Sequence, residues 1–216
     1  MKQIAGAAFA LIMFFALGRP ALAADGSKLT LPSGVKVAVV VFEDLECPDC
    51  ARAYPVVWEA ANAHKVPVEL HDFPLSMHPW SFKAAVNARY FDTKSTKIGD
   101  DYRGFIYKNQ PQITAGNLQA YTQKFADDNK VPLPFAIDPE GKLTQLVRSD
   151  YDLGTQCSLQ HTPTIFVVGQ GKNGIQWEEV NDRALLPQMI EDMQKKVAAA
   201  APAAKPAAQR AHKKKS

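Results

Sequence analysis

The sequence predicts an α/β fold in which an all-helical lobe interrupts a core of strands and helices. Three observations lead to this prediction. A strand, a helix and a second strand follow one another over residues 35–73. A long segment with helical patterns and no strand pattern then extends to about residue 153. Two further strands and a closing helix complete the folded part. A chain of 216 residues with 46% hydrophobic content can bury such a core.

The first three elements surround a Cys-x-x-Cys segment. Apolar and β-branched residues run together over Val35–Phe42, which is typical of a strand buried on both faces. After residues 47–50 (CPDC), apolar residues recur every three or four positions, which predicts a helix. Pro48 suits its first turn, where a backbone amide has no helical partner anyway. Val66–Phe73 alternates between apolar and polar residues and is predicted as the second strand.

The helical lobe is predicted at about residues 77–153. Proline and glycine separate four helix candidates, which are Ser81–Asp92, Gly99–Lys108, Gly116–Asn129 and Pro139–Tyr151. The strand pattern then returns. The last predicted elements are a strand over Thr164–Val168, a turn over Gly169–Gly174, a strand over Gln176–Val180 and a helix over Leu185–Ala198.

Both ends of the chain are predicted to lie outside the fold. Residues 1–23 have the charge, the apolar stretch and the final Ala-Leu-Ala of a secretory signal peptide. An N-terminal membrane anchor is the alternative, but the apolar stretch is shorter than the ~20 residues that a span needs. Cleavage would leave the mature protein in an oxidising extracytoplasmic compartment, which we infer to be the periplasm. Residues 199–216, rich in alanine, proline and lysine, are predicted to be a disordered tail.

The positive net charge of the chain comes from its two ends. The full chain carries +3, but residues 1–23 hold two basic residues and the tail holds five, with no acid in either. The folded part therefore has 18 basic and 22 acidic residues, a net charge of −4. A basic binding face on the domain is not implied, so no nucleic-acid partner is expected.

Three cysteines, Cys47, Cys50 and Cys157, are too few for a disulfide framework. A structural zinc site needs four ligands, and no second close pair of histidines or cysteines is present, so no metal is expected. A disulfide across two residues closes a very short loop and adds little stability. At a helix start, however, an exposed Cys47 would have its thiol pKa lowered by free N–H groups and the helix dipole. Cys50, one turn further, is expected to be more buried and to react later.

A second motif follows much later, at Thr162-Pro163-Thr164, where a proline begins a predicted strand. A cis bond before Pro163 would direct the backbone of Thr162 towards the cysteine pair. A bound substrate would then pair with Thr162 as an added strand. A trans surface turn is the alternative.

Two segments carry a resemblance to a known family. FEDLECPDC, residues 42–50, resembles the cysteine motif of the DsbA-like thioredoxin family, and HTPTIFVVGQ, residues 161–170, is similar to its cis-proline motif. The resemblance covers residues 28–198 and implies a thioredoxin fold with a helical insertion. It also implies a secreted thiol–disulfide oxidoreductase with no cofactor, in which Cys47 is the nucleophile, Cys50 the resolving cysteine and Pro163 the cis proline. Its partners would be proteins with thiols or disulfides and a membrane-bound redox-recycling partner.

Four residues near the pair are candidate modulators: Pro48, Asp49, Asp44 and His161. The Asp49 carboxylate would disfavour a thiolate on Cys47, so we expect a weaker oxidant than family members with histidine there. A protonated His161 would offset this effect. Many family members also carry a buried acid six residues before the first cysteine, where this chain has Val41. Either another acid such as Asp44 assists through water, or proton transfer is slower.

Three function classes remain open from the sequence. The first is an oxidase that introduces disulfides into exported proteins, the second a reductase in the same compartment. The third is a non-catalytic module that uses the pair to hold a metal. Cys157 is expected to be a buried, inert thiol, with a third redox thiol as the alternative.

Overall fold

The computed structural model describes residues 23–200. All of the predicted signal peptide except Ala23, and the tail after Ala200, lie outside the described residues. Residues 23–200 form four strands and six α-helices. In chain order these are β1 (Val37–Glu43), α1 (Pro48–His64), β2 (Val68–Asp72), α2 (Ser81–Asp92), α3 (Thr96–Asn109), α4 (Leu118–Asp128), α5 (Lys142–Gln156), β3 (Thr164–Gly171), β4 (Gly174–Glu179) and α6 (Leu186–Ala200). None of these helices is long and apolar enough to cross a bilayer.

The four strands form one mixed sheet in the order β2-β1-β3-β4. β1 pairs in parallel with β2, and α1 supplies the crossover that a parallel pair needs. β3 runs antiparallel to both β1 and β4. In this register Val39 of β1 lies between Val68 of β2 and Val167 of β3. β1 is thus an interior strand, and its carboxyl end leads directly to the cysteine pair.

Both faces of β1 are covered, which explains its continuous apolar sequence. Val37, Val39 and Val41 face α1 and α6 and belong to one core cluster. Val40 and Phe42 point to the other face, in a second cluster. Every residue of β1 is buried. The prediction of a strand buried on both faces is therefore confirmed.

The segment between β2 and β3 contains helices α2 to α5, the last of which ends three residues past the predicted end of the lobe at 153. Its main core cluster is apolar and aromatic, with Phe91, Tyr102 and Phe125 in mutual ring contact. The same cluster includes Cys47 and Cys50. The cysteine pair therefore lies at the junction between the sheet and the helical lobe.

Two predicted boundaries near the end of the chain are wrong. The turn predicted over Gly169–Gly174 is only two residues long, because Gly171 pairs with Gly174 across the hairpin. Gly174 has a φ of 121°, which suits glycine at the end of such a short loop. The closing helix, predicted to end at Ala198, continues as α6 to Ala200. Alanine is the best helix former, and nearby Val197 still packs in the core.

Candidate active site

Cys47 is the residue that caps the N-terminus of α1, and Pro48 occupies the first turn of this helix. Its backbone is extended, with φ of −77° and ψ of 119°. The Cys47 Sγ donates to the carbonyl oxygen of Thr162, 3.3 Å away. The Thr162–Pro163 peptide bond is cis. The two motifs found in the sequence, 115 residues apart, therefore meet at one point of the structure.

The Cys47 thiol has its pKa lowered from 9.0 to about 5. The largest cause is a hydrogen bond from the Cys50 thiol. Burial opposes the lowering, and the backbone N–H groups of Cys50 and Asp49 contribute to it. The expectation that Cys47 is exposed is wrong, since the residue is only 7% exposed. It is covered because it packs into the lobe cluster that also holds Leu45 and Trp80. Hydrogen-bond donors of the protein, more than water, stabilise its thiolate.

Cys50 lies one turn further along α1 and is 2% exposed. Its Sγ accepts a hydrogen bond from the backbone N–H of Asp44 at 3.4 Å. Burial, followed by the interaction with Cys47, raises the pKa of this thiol. The two cysteines are free thiols in the structure. At neutral pH, Cys47 therefore ionises while Cys50 keeps its proton.

Glu43, the last residue of β1, is a buried acid that the sequence did not single out for a role. Its Oε2 accepts a hydrogen bond from the Tyr107 hydroxyl at 2.8 Å, and its Oε1 lies 3.0 Å from the Arg103 Nε. Burial raises the pKa of Glu43 to about 7, although the Arg103 charge opposes the rise. Glu43 and Cys50 line one small cavity of about 10 Å³. That volume suits about one water molecule.

Asp44, which the sequence suggested as the assisting acid, is committed to other contacts. Its carboxylate accepts hydrogen bonds from the backbone N–H groups of Glu46 and Leu75, from the His78 Nδ1–H and from the Ser81 hydroxyl. These bonds fix the loop between β2 and α2 against the residues that precede the cysteines.

Glu43, by contrast, lies two positions beyond Val41 and lines the same cavity. Alternate residues of a strand share a face. The acid that ends an otherwise apolar strand is therefore the sequence signal that could have identified Glu43.

Asp49, between the two cysteines, is paired with two arginines. Its Oδ1 accepts from the Arg183 Nη2 at 2.9 Å and lies 3.2 Å from the Arg52 Nη2. The hydrogen bond from Arg183 is the main cause that lowers the pKa of Asp49. His161 is exposed and lines, with Asp49, Pro163 and Arg183, a cleft of about 190 Å³. Arg183 is 134 residues from Asp49, and no local pattern in the sequence joined the two.

Cys157 is fully buried in the cluster on the other face of the sheet, among residues such as Phe42, Phe73 and Phe166. Burial raises the pKa of its thiol. Its carbonyl oxygen accepts a hydrogen bond from the Asp25 N–H at 2.8 Å. The structure thus places this thiol in a different cluster from Cys47 and Cys50. Within residues 23–200, no three histidine, cysteine or acidic side chains are grouped so that they could hold a metal ion.

A protein-family model described as Thioredoxin matches residues 33–185. The chain belongs to the thioredoxin family. The match spans both the Cys47–Cys50 pair and the Pro163 segment. No curated protein matches the chain significantly.

Solved structures of DsbA proteins share the fold of this thioredoxin-family chain. Alpha-DsbA1 of Wolbachia pipientis superposes with a TM-score of 0.62 at 14% identity, over 80% of this chain and 98% of that one. The thiol–disulfide exchange protein alpha-DsbA2 of Wolbachia pipientis gives 0.57 at 16% identity, over 74% and 83%. DsbA2 of Pseudomonas aeruginosa gives 0.54 at 18% identity, over 77% and 98%. The predicted thioredoxin fold with inserted helices is confirmed.

Proposed function

We propose that this protein is a thiol–disulfide oxidoreductase that oxidises thiols of protein substrates through Cys47 and Cys50. The observation that carries the proposal is the unequal state of the two thiols, since the pKa of Cys47 is lowered to about 5 while burial raises that of Cys50. A stabilised Cys47 thiolate stabilises the reduced protein, which makes its disulfide a stronger oxidant. The name of alpha-DsbA2, a thiol–disulfide exchange protein of the same fold, supports this reaction class.

The reaction consists of two exchanges that balance without a cofactor. A substrate thiolate attacks the Cys47 sulfur of the Cys47–Cys50 disulfide, and Cys50 leaves as a thiolate. A second thiolate of the substrate then attacks the substrate sulfur of the mixed disulfide. The substrate gains a disulfide, and Cys47 leaves as a thiolate, which is a good leaving group because its pKa is low.

Glu43 supplies the proton that Cys50 needs in this cycle. The Cys50 thiolate forms beside the cavity that it shares with Glu43. Because the pKa of Glu43 is about 7, the carboxyl group can both donate and accept a proton near neutral pH. It protonates Cys50 when the pair is reduced and takes the proton back when Cys50 attacks a mixed disulfide during reoxidation.

The substrate is placed by the backbone of Thr162. This residue lies against the Cys47 sulfur and precedes β3, so an extended substrate segment can pair with it beside the nucleophile. The predicted signal peptide places the reaction outside the cytoplasm, and a membrane-bound partner would reoxidise the pair. The mass of the mature protein tests whether the predicted signal peptide is removed, since cleavage after Ala23 leaves Ala24 as the first residue.

Equilibration with glutathione tests the direction of the reaction. In each glutathione mixture, acid and an alkylating reagent fix the fraction of the protein that is oxidised. Cys47→Ser gives the baseline of this measurement. A reduction potential above about −180 mV, the value of protein disulfide isomerase, supports the oxidase. A potential near the thioredoxin value of about −270 mV would assign the chain to the reductases. Tight binding of Cu(I) by the reduced pair, with no turnover of a reduced unfolded protein, would leave only the metal-binding module.

A further inference from the structure

Arg183 reaches the cysteine pair from a distant part of the chain. It follows β4 and lies in the short 3-10 turn that leads into α6. Its Nη2 donates to the Asp49 Oδ1 at 2.9 Å, and its Nη1 donates to the Asp49 carbonyl oxygen at 3.3 Å. The guanidinium therefore holds both the side chain and the backbone of the residue between the two cysteines.

This contact changes what Asp49 does to Cys47. An isolated carboxylate in the first turn of α1 would repel the Cys47 thiolate, which forms at the same helix end. Paired with a guanidinium, the carboxylate becomes part of a neutral unit, and its repulsion of the thiolate largely cancels. The side chains of Arg183 and Asp49 are 34% and 39% exposed, so water screens this pair only in part.

Arg52 also touches Asp49, but its position is weaker. It lies on the same helix, three residues further on, at 3.2 Å from the Asp49 Oδ1, and its side chain is 68% exposed. Such a pair contributes little because the Arg52 side chain is well solvated. The other titratable groups that line the cleft are His161 and Glu179. Arg52 reaches only the carboxylate, through its Nε and Nη2, whereas Arg183 holds both the carboxylate and the backbone carbonyl of Asp49.

We propose that Arg183 is a positioning residue that acts through Asp49 to keep Cys47 a thiolate and the Cys47–Cys50 disulfide oxidising. The inference deepens the proposed function and rests on it for its biological meaning. It also explains how the chain tolerates an aspartate between its cysteines, which the sequence alone predicted to weaken the oxidant. The charge of the spacer is balanced by a residue from the other end of the domain.

A double-mutant cycle tests the proposal, with Arg183→Gln, Asp49→Asn and both together. The readouts are the pKa of Cys47 from thiolate absorbance and the equilibrium constant with glutathione. We expect Arg183→Gln to raise the pKa of Cys47 by about half a unit to one unit and to make the disulfide about three- to tenfold less oxidising. Asp49→Asn should shift both readouts in the opposite direction. The double variant should return to within about twofold of the wild type.

Two further variants separate charge from structure. Arg52→Gln is the matched control and should change the glutathione equilibrium by less than about twofold. Arg183→Lys keeps the charge and should retain most of the wild-type value. Shifts of Arg183→Gln and Asp49→Asn in the same direction, or equal effects of Arg183→Gln and Arg52→Gln, would overturn the proposal. Neither readout needs substrate turnover, so a protein that shows the expected shifts but oxidises no substrate would refute the proposed function alone.

Discussion

Three residues at the end of β1 and the start of α1 divide the acid–base work of the pair. Cys47 receives hydrogen bonds and ionises easily, Cys50 is buried and stays protonated, and Glu43 beside it titrates near pH 7. Each pKa follows from a local environment rather than from the residue type. Burial of Glu43 therefore also has a cost in folding free energy, and that cost depends on pH.

Replacement of Glu43 by glutamine should remove this pH dependence. The pKa of Glu43 rises from 4.5 to about 7 on folding, so the folded state holds the proton more tightly. The contribution of Glu43 to stability is full below pH 4.5 and is lost as the pH rises towards 7. The loss should be on the order of 3 kcal/mol. Urea unfolding of wild type and Glu43→Gln at several pH values measures this loss. The unfolding free energy of the wild type, relative to that of the variant, should fall as the pH rises.

A surface carboxylate on α1 provides the control for that comparison. Glu59→Gln changes the same chemical group at an exposed position, so its difference from wild type should stay nearly constant over the same pH range. If the difference for Glu43→Gln is equally flat, the carboxyl group of Glu43 does not titrate near neutral pH, and its role as proton donor to Cys50 is lost.

At the scale of the elements, buried ion pairs fasten the helical lobe to the sheet. Arg103 of α3 contacts Glu43 at the end of β1 and binds both carboxylate oxygens of Asp92 at the end of α2, at 2.8 and 3.0 Å. Arg89 of α2 contacts Asp72 of β2 and Asp150 of α5. These pairs join three helices of the lobe, α2, α3 and α5, to the strands β1 and β2. They therefore fix the lobe over the cavity of Glu43 and Cys50.

Truncation of Arg103 should loosen this attachment. Arg103→Met keeps much of the apolar stem but leaves the buried Glu43 without its cation, and leaves Asp92 only its contact with Arg89 at 3.5 Å. Removal of one partner of a buried pair costs about 3–5 kcal/mol. The unfolding free energy in urea at pH 7 should fall by about that amount, and Arg148→Met, at an exposed site on α5, should change it by less than about 0.5 kcal/mol. A loss below about 1 kcal/mol for Arg103→Met would mean that the pair does not hold the lobe in place.

The elements themselves were largely predictable because their patterns are local. β1 shows as a β-branched run and α1 as a three- and four-residue periodicity, and the predicted bounds of α2, Ser81–Asp92, match the structure. The length of the β3–β4 hairpin loop was not predictable from composition. Its glycines suggested a long turn, whereas cross-strand pairing extends to Gly171 and Gly174. The pairing of strands, rather than the propensity of the residues, set that boundary.

The site was predictable only where its residues lie close together in the sequence. The CPDC segment identifies Cys47 and Cys50, the Thr162-Pro163-Thr164 segment was visible as a proline at a strand start, and the resemblance implied that Pro163 is the cis proline. Arg183 comes from the other end of the domain, and the low exposure of Cys47 depends on helical-lobe packing that no local pattern encodes. The pairing of Asp49 with Arg183 was not foreseen for the same reason.

At the scale of the whole molecule, the low pKa of Cys47 couples the redox state to folding stability. In the reduced protein the folded pKa of Cys47 is about 5, below its ordinary 9.0. The resulting stabilisation is complete above pH 9 and is lost as the pH falls through 5. At pH 7 it amounts to about 3 kcal/mol. Its sign is opposite to that of Glu43, so the reduced wild type alone would show only the balance of the two effects.

Comparison of the reduced wild type with Cys47→Ser isolates this coupling. The serine variant keeps Glu43 but has no thiolate, so the Glu43 contribution largely cancels in the difference. We expect the wild-type advantage in unfolding free energy to shrink by about 2–3 kcal/mol between pH 7 and pH 5. Urea unfolding under a strong reductant measures it. An advantage that does not change with pH would show that the folded protein does not stabilise the Cys47 thiolate.

The central claim, that Cys47 is the exchanging nucleophile and Cys50 resolves it, is tested most directly by trapping the mixed disulfide. Cys50→Ser, mixed with a peptide that contains a disulfide, should form a stable adduct that mass spectrometry locates on Cys47. Cys47→Ser should form none, and wild type should release the peptide as a thiol. An adduct on Cys157, or equal trapping by Cys47→Ser, would contradict the account.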